Sequence, residues 1–260
     1  MRIFRLITVF AAASAVASLA MAQNLQDAGA NPQGIADLVA KLKAYGDSVA
    51  HKPVPRMSDG KPDLSGVYNK LFRDIFDGAQ PKPEFTPAGK AKWDNIANEI
   101  DPATQCNWPG VPRLMQEPDP FQIEEKASKV IFLYEYMHNF RVVPTDGRPH
   151  PKSIPLSRAW LGDSVGHWEG DTLVVDTIGF NDVTRLDPQG HPKSEQAHII
   201  EKYRRPRYDQ LWYEVTVDDP KYYKHSFSQS TTLPLAPPDW RIEEYACNEN
   251  NQDGWVKGAH

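Results

Sequence analysis

The sequence predicts a mainly β protein: an antiparallel barrel of the lipocalin or calycin kind, or a strongly curved sheet, flanked by two N-terminal helices. Three observations carry this. From Phe121 onward, short β-branched and aromatic runs follow one another, bounded by Pro, Gly, Asp or Asn, with no helical pattern between them. Glu169-Gly170-Asp171 separates an alternating segment from the run Thr172 to Ile178, the mark of a β-hairpin. Helical periodicity is confined to the region before residue 101.

Residues 1–22 read as a signal peptide. Arg2 and Arg5 make a basic start, Leu6 to Ala20 is apolar, and Ala20-Met21-Ala22 offers small residues for cleavage. The expectation is therefore a periplasmic or secreted chain that begins at Gln23 and has no membrane span after cleavage. Residues 23–260 read as a single domain with a helical extension over about 31–100. Removing the leader takes the 29 basic residues to 27 against 34 acidic ones, and the net charge from −5 to −7. Such a surface repels phosphate backbones, and Lys202 to Arg207 is the lone basic cluster, so nucleic acid is excluded as a partner. Two cysteines far apart in an exported chain point to a Cys106–Cys247 disulfide, with two unrelated thiols as the alternative.

Taken in order, Ile35, Leu38, Val39, Leu42, Tyr45 and Val49 recur at three- and four-residue steps and predict a helix over Asn31 to Lys52. Pro53 and Pro55 end it. Its apolar face packs on the body of the protein or makes a homodimer contact. Pro62 to Tyr68 leads into a short strand. Thr86-Pro87 supplies a cap and a first-turn proline for a second helix that ends near Ile100, with Trp93, Ile96 and Ala97 on one face. Asp101 to Pro120 is an irregular, proline-rich loop that a disulfide at Cys106 would order. Strands are expected over Phe121 to Glu124, Lys129 to Tyr136, Asn139 to Val143, Ala197 to Arg204, Leu211 to Val217, Tyr223 to Leu233 and Trp240 to Ala246.

The segment Tyr134 to Arg141 is richest in chemistry. As a continuous strand it places Tyr134, Tyr136, His138 and Phe140 on one face and Glu135, Met137, Asn139 and Arg141 on the other. If the chain turns near Met137-His138 instead, Glu135 and Arg141 approach each other as an ion pair. Five of the eight histidines lie between His138 and His198. No His-Glu-x-x-His or His-x-His spacing occurs, so no metal is expected, although His150, His167, His191 or His198 with Asp163 or Glu169 could assemble a site. Gly162-Asp163-Ser164-Val165-Gly166 matches a nucleophile pattern, but a strand follows it where an elbow needs a helix. Trp160, Trp168, Phe180 and Trp212 are candidate cavity walls as well as candidate core. Asn181 reads as a turn residue or a polar contact to ligand.

These segments also carry a resemblance. Pro62 to Val67, Asp101 to Cys106, Gly110 to Met115, Tyr134-Glu135-Tyr136 with His138 and Phe140-Arg141, Asp146 to Pro151, Trp168 to Thr177 with Gly179 to Asp182, and Asp218-Asp219-Pro220 are similar to those of a widespread, mostly uncharacterised family of secreted bacterial proteins. The resemblance implies cofactor-independent lyase activity on lignin-derived aromatic dimers. The chain departs from the family at Gly190-His191-Pro192-Lys193-Ser194, where Lys193 stands in place of a histidine that only His191 could replace.

The expected function is a cofactor-independent lyase or isomerase working on a small, partly aromatic substrate in a β-barrel cavity. His138 or His198 would move a proton, Tyr136 would donate to a developing oxyanion and Arg141 would hold charge. Tyr134, Trp160, Trp168, Phe180, Asn181 and His167 would contact the substrate. The alternatives are a periplasmic binding or carrier protein without turnover and a structural envelope protein.

Overall fold

The computed structural model describes residues 32–70, 75–154, 160–245 and 247. The expected leader, the first residue of the expected N-terminal helix and the end of the expected strand at Ala246 lie outside the described residues. Helix α1 spans Pro32–Val49, with Leu42 and Val49 buried in its inner face and Tyr45 partly so. Val39 falls off the stripe and is 38% exposed. Gly46 lies under Asp209 of the β7–β8 turn, whose Oδ2 would be 3.0 Å from an added Cβ, so a larger residue here would press on that carboxylate.

Strand β1 (Gly66–Tyr68), the single-turn helix α2 (Ile75–Gly78) and helix α3 (Pro87–Asp94) follow. Thr86 caps α3 as expected, its Oγ1 accepting from Gly89 N at 3.1 Å. The helix is shorter than predicted. Asn95 closes it, Ile96–Asn98 forms a 3-10 turn, and Ile100 is 66% exposed rather than on a buried face. The long loop after it is ordered by 3-10 turns at Pro102–Gln105 and Arg113–Met115 and by the Cys106–Cys247 disulfide.

The rest is β. One antiparallel sheet has the order β1-β2-β3-β4, with β2 at Phe121–Lys126, β3 at Lys129–Tyr134 and β4 at Asn139–Pro144. The other has the order β5-β6-β7-β8-β9: Asp163–Glu169, Thr172–Ile178, His198–Arg207, Gln210–Asp218 and Phe227–Pro234. The hairpin at Gly170-Asp171 is present, with Gly170 at φ 59°, the left-handed conformation a two-residue turn requires.

The structure corrects three strand expectations, the first being Tyr223 to Leu233, which begins only at Phe227. Lys129 to Tyr136 stops at Tyr134, because Met137 and His138 take left-handed φ of 56° and 50° and turn the chain back so that Tyr134 pairs with Asn139. Tyr134, Tyr136, His138 and Phe140 therefore do not share a strand face. Residues 240–245 form no strand; this segment, the strap, is tied to the β3–β4 turn, Glu243 N donating to Glu135 and Tyr245 N to His138.

Nearly every strand alternates buried and half-exposed residues, so each sheet turns one face to the core and one outward. The inward faces meet in one apolar core. Phe132 of β3 lies 5.0 Å from Tyr203 of β7, and Tyr203 lies 5.1 Å from Tyr213 of β8. Each such ring withdrawn from water contributes about 1.5–3 kcal/mol. At one side the sheets are stitched by a Tyr68–Leu235 bridge, with Asn69 N donating to Pro234 O and Ala236 N to Val67 O. At the other side no ladder joins β4 to β5 among the described residues, and a groove opens there.

Candidate functional site

The groove between the edge strands β4 and β5 has a volume of about 570 Å³. Alternation along β4 turns Phe140 and Val142 outward, 57% and 44% exposed, and they form one wall. Leu161, Val165 and Trp108 also line the groove. Its polar lining residues are Arg148, Asp163 and Ser164 at the start of β5, and Arg141, whose guanidinium turns inward. Apolar walls with few polar groups are the usual composition of a small-molecule site.

Asp163 does not stand alone. His150 Nδ1 lies 3.0 Å from Asp163 Oδ1, and His150 Nε2 lies 3.2 Å from Asp176 Oδ1. The same Asp176 oxygen lies 2.7 Å from His198 Nε2. Asp163, Asp176 and His198 meet because they sit on the outward face of three adjacent strands, where the registers Val165↔Asp176 and Asp176↔Ile200 place them side by side. A neutral His150 ring donates to one of its two carboxylates, and a protonated ring donates to both. The line runs from Asp163, 10% exposed, to His198, 41% exposed, so a proton taken up in the groove has a hydrogen-bonded route to water.

On the inward face, between β4, β7 and β8, lies a second polar cluster. Arg141 Nη1 is 2.5 Å from Glu201 Oε2, and both side chains are buried. Tyr203 OH and Tyr213 OH donate to Glu201 Oε1 at 2.7 and 3.1 Å. Burial, then the Glu201 charge, pushes both phenols well above the ordinary tyrosine range. Burial disfavours the charged form of Arg141, but the adjoining Glu201 outweighs it and holds the guanidinium well above its ordinary value. Arg141 Nε and Tyr134 OH are buried without a hydrogen-bond partner among the described residues.

The residues expected to act together are dispersed. His138 lies exposed on the β3–β4 turn and accepts from Tyr245 N at 2.8 Å. Tyr136 packs against Tyr245 at 5.1 Å between ring centres. Neither His138 nor Tyr136 lines the groove, whereas His198 joins the relay beneath it. Arg141 turns inward to Glu201 instead of meeting Glu135, which accepts from Glu243 N. Trp160 lines no part of this groove, and its carbonyl packs beside Gly110. Trp168 packs on the core, with the Lys61 ammonium 5.8 Å from its ring centre. Phe180 is buried beneath the Lys193 ammonium, 3.9 Å away. Asn181 Oδ1 accepts from Thr184 N, a turn contact, and His167 is exposed beside Glu169.

Ser164 faces Thr177 Oγ1 at 3.0 Å within a continuous strand, as a sequence without a nucleophile elbow requires. His191 is sandwiched between Phe76 and Trp93 at 3.4 and 4.4 Å, with Nδ1 2.5 Å from Asp187. Lys193 is fully buried, donates to Val111 O at 2.7 Å, and is pushed down to about 7 by burial. Among the described residues, no group of three or more His, Cys, Asp or Glu side chains could hold a metal ion, and no helix is long and apolar enough to cross a membrane.

Asp176 and Glu201 escaped the sequence reading, although each is a carboxylate set inside a β-branched run, Val-Val-Asp-Thr and Ile-Ile-Glu. That interruption is the signal that could have found them. No family model, curated protein or solved structure matches the chain.

Proposed function

We propose that the groove between β4 and β5 binds a small, partly aromatic molecule and that the protein is a cofactor-independent lyase or isomerase acting on it. The observation that carries this reading is the hydrogen-bonded line Asp163–His150–Asp176–His198, which begins at the groove and ends at water. In an elimination, the Asp163 carboxylate takes a proton from a substrate carbon. The C–H pair becomes the new double bond, and the group on the neighbouring carbon leaves with its own pair. His150 positions Asp163 and relays the proton outward through Asp176 and His198. Arg148 is held by an exposed pair with Asp146, a contact worth about 0–1 kcal/mol, so it is free to turn to an oxyanion forming in the groove.

In this proposal the two sheets form one barrel-like wrap interrupted at the groove, in a single domain over residues 23–260; the Tyr68–Leu235 bridge supports it. It also takes the chain as exported to the periplasm or beyond, a location the disulfide supports. The resemblance of the motifs around Trp168 to Asp182 to the secreted lyase-associated family supports an aromatic substrate.

The test is incubation of purified protein with lignin-type aromatic dimers, products followed by mass. Turnover is expected, and Asp163→Asn should lower it about 10²–10⁴-fold. Binding without conversion would move the protein to the carrier alternative. Absence of both binding and conversion would remove the groove as a ligand site.

A further inference from the structure

A second cavity, of about 730 Å³, lies on the far side of the molecule from the β4–β5 opening along the sheet order, where the strap after β9 crosses the β1 end under helix α1. Three rings wall it: Tyr45 from α1, Tyr208 from the β7–β8 turn and Trp240 from the strap. Arg205 lies within it, 5% exposed. Its Nε and Nη2 donate to Tyr208 O at 3.0 and 2.7 Å, and its Nη1 donates to Asp63 O at 2.8 Å and Ser65 O at 3.3 Å. All four bonds end on main-chain carbonyls, and none ends on a carboxylate among the described residues. A guanidinium has five N–H donors, so one is left uncommitted.

This differs from the other buried arginines, Arg113 and Arg141, which are each neutralised by carboxylates. A buried cation facing main-chain carbonyls and the Tyr208 ring, 5.1 Å from its guanidinium carbon, still favours an anion beside it. Positive charge gathers around the same rings. Lys41 lies 5.1 Å from the Trp240 ring centre and Lys52 5.2 Å from that of Tyr208, while Arg241 lines the cavity from an exposed position. The one carboxylate lining the cavity among the described residues, Asp63, has its Oδ1 turned to Ser65 N of its own turn. Asp209, close enough to Tyr45 to act on its phenol, is paired with Arg207, so the described residues lining this aromatic-walled hollow carry two arginines against one carboxylate in a chain of net charge −5.

We propose that this cavity is a second ligand site, built for a small aromatic carboxylate. The ligand ring stacks among Tyr45, Tyr208 and Trp240, and its carboxylate is held by Arg205 and Arg241. This site does not depend on the reading of the β4–β5 groove. Calorimetric titration of the full chain with 4-hydroxybenzoate and with 4-hydroxybenzamide at low salt tests it. The acid should bind at least about tenfold more tightly than the amide, the worth of one charge-assisted hydrogen bond. Trp240→Ala and Arg241→Gln, both at partly or fully exposed positions, should each weaken the acid about fivefold or more, while Phe140→Ala in the other groove leaves it unchanged. Equal binding of acid and amide, absence of heat with the acid up to about 10 mM, or loss of binding in Phe140→Ala with Trp240→Ala intact would overturn the proposal.

Discussion

Arg141 and Glu201 stand sixty positions apart in the chain and 2.5 Å apart in the fold, buried between the two sheets. Glu201 also accepts from Tyr203 and Tyr213, so a single carboxylate anchors three donors from β4, β7 and β8. Replacing it with glutamine strands a buried guanidinium, and Glu201→Gln is expected to cost about 3–5 kcal/mol. Arg141→Met should cost a similar amount. Urea unfolding of both singles and the double should show strong coupling, with the double far less destabilised than the sum. Additive losses would show that the pair does not act as a unit.

The relay below the groove predicts graded kinetic effects once a turned-over substrate is in hand. His150→Gln should lower kcat by about 10²-fold with KM nearly unchanged, because the ring acts through Asp163 and does not line the groove. His198→Gln, at the solvent end, should cost only a few-fold, and added imidazole should restore the rate. A His150→Gln enzyme altered in KM alone would point to a role in holding the groove's shape.

Stability should pass through a minimum near pH 7. Burial pushes the Glu125 carboxyl up to about 7, against the Leu64 N–H that favours its charge. From about pH 4.5 to 7 the folded chain thus holds a proton that the unfolded chain has released, and stability falls as pH rises. Burial pushes Lys193 down to about 7 and Lys70 down to about 8. From there toward pH 10 the unfolded chain keeps protons that the folded chain has shed, so stability rises. Urea unfolding at pH 5, 7 and 9 measures both limbs. Glu125→Gln should flatten the acid limb and Lys193→Met the alkaline one; a stability maximum at pH 7 in the wild type would contradict the assignment.

The Cys106–Cys247 bridge spans 141 positions and ties the strap's end to the loop after α3. By restricting the unfolded chain, a closure of this length stabilises by about 5 kcal/mol if no strain offsets it. Cys106→Ser with Cys247→Ser should lower the urea midpoint accordingly, and reductant should reproduce the loss in the wild type. An unchanged midpoint would mean that the strap is held by its packing.

Local chemistry explains which parts of the fold were legible. The Thr86 cap, the helical stripe from Leu38 to Val49 and the Gly170 turn each depend on residues within a few positions of one another. The ends of elements were harder to read. Tyr136 has strand-forming character, yet Met137 and His138 turn the chain there because the pairing of Tyr134 with Asn139 closes a hairpin that aligns Arg141 with the core. Residues 240–245 are rich enough in apolar side chains to read as a strand, but no open sheet edge pairs with them.

The candidate site shows the same division. Sequence by itself determined the β character of the chain, the hairpin turn at Gly170 and the clustering of histidines near the middle strands, because composition and short-range spacing govern these; it pointed to a disulfide that the structure then showed. Only the tertiary structure decided that Arg141 meets Glu201 and not Glu135, that His150 and His198 share Asp176, and that His138 faces solvent. The physical reason is register: in a sheet, which side chains touch is set by how strands slide past one another, and a shift of one residue sends every side chain to the opposite face.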